Sequence, residues 1–169
     1  EPGDLKAFAV VMDTNWMGVL NTFQPFVGPM LARAKPGQPG GTLVGIASVA
    51  GVRGLPGAAA YSASKSAVIK LMESLRVEFG PLGLRVVTIA PGYIRTPMTE
   101  HNPYPMPFLM PVDRFALKAV NAIHRGVRFT VLPWPMGIVA KLLHVLPRGL
   151  YDFAFARAGR KPRNPEISS

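Results

Sequence analysis

The sequence predicts an α/β fold, a parallel sheet with helices on its faces, and two observations carry that expectation. The runs TLVGIAS (42–48) and LRVVTIA (84–90) are short, apolar and bounded by glycine or proline, the pattern of strands buried on both faces. They alternate with longer segments of helical period. Helix, strand, helix, strand, helix, strand is the order from which parallel α/β sheets are built.

Residues 4–32 read as the first helix. Leu5, Phe8, Ala9, Met12, Trp16, Val19, Leu20 and Phe23 recur at three- and four-residue steps behind Asp4, a suitable N-cap. KPGQPGG (35–41) is a turn leading into the strand 42–48. Helical period returns over 59–80 and stops at Gly80-Pro81, and the second strand, 84–90, closes on Pro91-Gly92. From Thr96 to Pro111 the chain reads as a long loop rich in Pro and Met. A helix over 113–125 has Asp113 near its start and Gly126 past its end. RFTVLP (128–133) is the third strand, and two short amphipathic helices, 136–146 and 149–158, precede a tail carrying Arg157, Arg160, Lys161 and Arg163.

The 169 residues suffice for one domain with a sizeable core. An apolar share of 49% against 17% charged marks a folded chain. There is no Cys, which excludes disulfides and thiolate metal sites and favours an intracellular setting. His101, His124 and His144 show no local ligand pairing, so no metal site is expected. The 19 Lys and Arg against 9 Asp and Glu give a net charge of +10. That excess reads first as a solvated basic surface, with anionic lipid or a phosphorylated cofactor as other uses. Nucleic acid is disfavoured, because no basic stripe is interleaved with aromatics. No apolar run reaches the ~18 residues of a membrane span and no signal peptide opens the chain, so the expectation is a soluble, cytoplasmic protein. In 136–163, Leu142, Leu143, Leu146, Leu150, Phe153 and Phe155 stand beside Lys141, Arg148, Arg157 and Arg160. These helices suit packing over the fold or on a neighbouring subunit, or peripheral contact with an anionic membrane.

AAAYSASKSAV (58–68) places Tyr61 and Lys65 four apart among small residues, on one face of a helix. A phenol alone is a sluggish acid or base at neutral pH, and a nearby ammonium favours the phenolate. Ser48 ends the first strand, and the carboxyl ends of parallel strands are where open α/β sheets place ligands. A hydroxyl there could hydrogen-bond the carbonyl or alcohol oxygen whose proton the tyrosine handles.

Ser48, then Tyr61-x-x-x-Lys65 thirteen residues on, then Pro91-Gly92 thirty after Tyr61, resembles the short-chain dehydrogenase/reductase family. NWMGVLNTFQPFVGPM (15–30) is similar to its long helix before the serine strand, and PGYIRTPM (91–98) to its cofactor-contacting segment. The resemblance runs from about Asp4 to Leu132. It implies a Rossmann-like doubly wound sheet, with 1–135 as part of the catalytic domain and 136–169 as terminal helices and basic tail. It also implies an enzyme that uses NAD or NADP to interconvert an alcohol and a carbonyl. Tyr61 would be the general acid/base, and Lys65 would tune it and hold the nicotinamide ribose. Ser48 would polarise the substrate oxygen, and Asn15 would anchor a water relay behind Lys65. Pro91, Gly92, Ile94 and Thr96 would line the nicotinamide. Asn15 could instead be an ordinary helix residue and Thr96 a helix cap.

The loop 96–111 matches the family's variable substrate lid. Met98, Tyr104, Met106, Phe108, Leu109 and Met110 either line a site for an apolar carbonyl or alcohol or cover the core; Met98 and Phe108 are the substrate-site candidates. The family pairs its two long helices, here 4–32 and 60–80, across a homodimer or homotetramer, and Ala63, Ala67 and Ser74 suit such packing.

The family's opening strand, glycine-rich turn and helix, and its Asn-Asn-Ala-Gly segment, have no counterpart here. Fourteen residues precede Asn15, while a βαβ unit needs roughly 30. GVRGLPG (51–57) lacks G-x-G-x-x-G spacing, and Pro56 removes an amide that a phosphate would want. The resemblance therefore implies the C-terminal part of a longer enzyme, with an open apolar sheet edge where its neighbours would pair. The rival reading is a non-catalytic α/β module that binds a protein partner or a membrane surface.

Overall fold

A computed structural model describes residues 4–100, 102 and 105–156. The chain opens with α1 (Leu5–Met12), whose N-cap Asp4 accepts the amide of Ala7 at 3.0 Å. The long first helix expected over 4–32 is not uniform. A π-helical segment, Asp13–Met17, interrupts it before α2 (Gly18–Arg33). Its single widened turn carries Asn15, and no periodicity in the sequence announces it.

The main sheet has three parallel strands, β1 (Gly41–Ile46), β2 (Leu84–Pro91) and β5 (Phe129–Leu132), in the order β1-β2-β5. Ile46 lies opposite Ile89, and Pro91 opposite Leu132, so all three carboxyl ends meet at one edge of the fold. Between β1 and β2 runs α3 (Ala59–Phe79); α5 (Val112–His124) precedes β5. Alternation along β2 divides the core. Leu84, Val86 and Ala90 join Leu43, Val68, Ile69 and Met72 with Trp16, Phe23 and Met30 of the first helices, whereas Val87 and Ile89 join Ala119, Leu132 and Phe115. Helices therefore cover both faces. A third cluster, Val49, Met136 and Ala140 with Tyr93 and Val131, packs α6 (Trp134–Val145) near the carboxyl ends of the strands. The last described helix is α7 (Arg148–Phe155).

Two further expectations needed correction. The segment 96–111 is not one open loop: β3 (Ile94–Arg95) pairs in parallel with β4 (Met110–Pro111), and α4 (Pro97–Glu100) lies between them. Two-residue strands fall below any periodicity that a sequence can display. The first strand also ends at Ile46 rather than at Ser48. Ala47 still donates to Ile89 O at 2.8 Å, after which the chain turns away.

Candidate active site

Ser48 sits two residues beyond β1 in extended backbone, and its Oγ accepts the amide of Ala50 at 3.1 Å, capping a 3-10 turn over Val49–Gly51. The hydroxyl hydrogen is left to donate elsewhere. Gly51 brings this turn against α3. A Cβ there would fall 2.6 Å from Lys65 C and 2.7 Å from Lys65 O, both immovable backbone atoms. Only glycine permits the approach.

On α3, Tyr61 is 38% exposed and Lys65 is half-buried. Lys65 Nζ donates to Ile46 O at 3.0 Å, at the carboxyl end of β1, and stands 5.8 Å from the centroid of the Tyr61 ring. Burial lowers the Lys65 pKa below the ordinary lysine range. Asn15 approaches from the π segment, and its Nδ2 donates to Ser64 Oγ at 3.1 Å. Ser64 in turn donates to Tyr61 O at 2.8 Å and is wholly buried. A chain of two hydrogen bonds thus joins the π segment to the turn of α3 that bears Tyr61 and Lys65. Neither Ser64 nor Gly51 was marked as a site residue by the sequence. SASKS gives no sign of which serine turns inward.

Pro91 and Gly92 close β2 on the same edge, with Gly92 N donating to Leu132 O at 2.8 Å. A Cβ on Gly92 would lie 2.8 Å from Cγ of Met136, so α6 occupies that space. Ile94 is buried, and its carbonyl accepts Thr99 Oγ1 at 2.6 Å. Thr96 is half-buried at the start of α4, where its amide donates to Thr99 Oγ1 at 3.0 Å. Phe108 is exposed, with a left-handed backbone at φ 58°, a conformation that costs a non-glycine residue about 1–2 kcal/mol and that clusters at ligand clamps. Met110 is buried where β4 pairs with β3. The Met98 side chain and Tyr104 lie outside the described residues, as do His101 and the basic residues 157–163.

A groove opens on the opposite face of α3. It is an open depression of ≈ 720 Å³ lined by Arg53, Leu55, Ala59, Ser62, Ser66 and Tyr151 among others, not by Tyr61 or Lys65. Here the Tyr151 hydroxyl donates to Gly54 O, Arg53 lies 4.4 Å from the centre of the Tyr151 ring, and Phe155 stacks on it at 4.5 Å. These contacts fasten α7 to the loop that follows Ser48.

A family model for short chain dehydrogenases matches residues 2–105. The chain belongs to the short chain dehydrogenase family. An uncharacterized oxidoreductase of Myxococcus xanthus (strain DK1622) is 39% identical over 147 residues, 87% of this chain and 56% of that one. The chain thus spans about half the length of this curated relative. A short chain dehydrogenase structure from Burkholderia cenocepacia J2315, in complex with NADP, aligns with a TM-score of 0.75 at 24% identity, covering 90% of this chain and 62% of that one. That likeness shows the Rossmann-like fold. A 3-oxoacyl-(acyl-carrier protein) reductase structure with bound NAD from Brucella melitensis aligns with a TM-score of 0.62 at 27% identity, over 75% of this chain and 50% of that one.

Proposed function

We propose that this chain is the catalytic part of an NAD- or NADP-dependent oxidoreductase interconverting an alcohol and a carbonyl on an apolar substrate, with Tyr61 as the general acid/base. One observation carries the reading: the Lys65 ammonium reaches the carboxyl end of β1, one helical turn from a solvent-accessible Tyr61 and beside the turn that Ser48 caps.

The donor set fits the nicotinamide end of such a cofactor. Lys65 uses one of its three N–H groups on Ile46 O, leaving two for ribose hydroxyls. Tyr61 and Lys65 would hold the ribose, and Pro91, Gly92, Ile94 and Thr96 the nicotinamide. The cofactor, when bound, supplies or accepts a hydride. Ser48, its oxygen already accepting from Ala50, donates its hydrogen to the substrate oxygen and orients it. Tyr61 gives that oxygen a proton when a carbonyl is reduced and removes it when an alcohol is oxidised. Asn15 and Ser64 hold the backbone beneath Tyr61.

Phe108 and Met106 give the lid an apolar surface, and the 3-oxoacyl reductase from Brucella belongs to a compatible substrate class. Exposed Leu5, Val10, Phe26 and Val77 on the long helices support their pairing across a homo-oligomer.

In the full-length protein, Tyr61→Phe should lower turnover by about 10²–10⁴-fold while leaving the binding of reduced cofactor, followed by its fluorescence, within a small factor. Retained turnover would overturn the role of Tyr61, and absence of turnover in the unsubstituted protein would favour the non-catalytic module. Profiling short polar against long apolar alcohols tests the substrate class; preference for the polar set would sink it.

A further inference from the structure

The last two described helices are apolar on the sides they turn away from the fold. In α6, Met136 and Ala140 face the core with Val139. On the other side Trp134, Ile138, Leu142 and Val145 follow at steps of four, four and three, which aligns them in one stripe. They are 70%, 53%, 62% and 64% exposed. In α7, buried Tyr151 holds the helix to Gly54, while Leu150 and Phe153 point outward at 58% and 86% exposure. A helix that is apolar on both sides requires a second surface to cover it.

Charge selects that surface. Between Trp134 and Ala156 the only carboxylate is Asp152, against Lys141 and Arg148. Lys141 lies within the α6 stripe, and α6 itself carries no acid. A two-fold contact between α6 and its equivalent in a second copy would bring together two Lys141 side chains with no carboxylate on either helix to pair them. The following sequence adds Arg157, Arg160, Lys161 and Arg163 before any acid. Trp134 beside a lysine whose stem can lie along apolar surface with its ammonium in the headgroups is the chemistry of an interfacial helix. Among the described residues no helix is long and apolar enough to cross a membrane.

We propose that the outward faces of α6 and α7 dock on an anionic lipid bilayer, lying in its interface. Because α6 packs on Val49 and Tyr93 and fills the space beside Gly92, this docking brings the carboxyl ends of the strands close to the lipid surface, from which an apolar substrate would enter.

The test is co-sedimentation of the full-length protein with vesicles of phosphatidylcholine, alone or mixed with phosphatidylglycerol. The mixed vesicles should bind it more strongly. Trp134→Gln, Ile138→Gln and Leu142→Gln together should weaken that binding about tenfold or more. All three positions are exposed, so the fold is retained, and Leu117→Gln on α5, equally exposed at 69%, should change nothing. Bilayer quenching of Trp134 by brominated lipid gives a second readout. The inference is overturned by absence of binding to the mixed vesicles, by equal binding to neutral ones, or by an unaffected triple variant. A triple variant that changes only the sedimentation coefficient would overturn it in favour of self-association. The readout is lipid binding rather than turnover, so it stands or falls apart from the oxidoreductase reading.

Discussion

Lys65 sits between solvent and the carboxyl end of β1, and burial lowers its pKa. The unfolded chain keeps the lysine proton up to the ordinary value of 10.5. In the interval below that value the unfolded state binds more protons, so stability should rise with pH across it. Lys65→Met should abolish that rise, as urea unfolding at neutral pH and near the ordinary lysine pKa would show, and should remove turnover as well. A rise that survives the substitution would assign it to another group. Thr88 raises the opposite case. It is wholly buried on the face of β2 that carries Val86 and Ala90, and its Oγ1 has no hydrogen-bond partner among the described residues. Thr88→Val keeps the shape and removes an unsatisfied hydroxyl, so it should stabilise by about 1 kcal/mol. A lower urea midpoint in that variant would show that the hydroxyl is satisfied in solution.

At the scale of elements, the site depends on how closely the turn after β1 meets α3. Gly51→Ala would press a methyl against the backbone of Lys65 and Ser66. The expected cost is about 1–3 kcal/mol, read as a lower urea midpoint with an unchanged slope. Turnover should fall further than the stability loss explains, because the displaced turn carries Ser48. A variant with wild-type stability would mean that the turn relaxes freely. The helices and main strands were legible because their periods extend over many residues. Asp4 as N-cap and Gly80 at the end of α3 match, and β2 runs one residue past the expected 84–90. The π segment was not legible, since one extra residue in a turn leaves the apolar pattern nearly intact. The β3–β4 pair was not legible either, since two residues have no period.

Across the whole molecule, three parallel strands leave β1 at the sheet edge, with Ile46 43% exposed. Parallel sheets are normally covered on both faces and flanked, and an open flat edge templates pairing with other chains. Expressed by itself, the 169-residue polypeptide should therefore elute as large species from a sizing column at micromolar concentration. Thr42→Lys on that edge should shift it toward monomer. A monomeric profile without the substitution would mean that the edge is protected in solution.

Sequence alone determined the α/β class, the order of the main helices and strands, and the spacing of Ser48, Tyr61 and Lys65 that marks the family. These are properties of local period and of fixed intervals along the chain, and both survive without contacts. Only the tertiary structure decided that Lys65 anchors on Ile46 O, that Asn15 bonds Ser64 across 49 residues and through it the Tyr61 carbonyl, and that α6 fills the space beside Gly92. It also decided which side of α6 faces outward. The expected amphipathic helix has only Lys141 and His144 as polar residues, too few to orient it, and packing on Val49 and Tyr93 makes the choice.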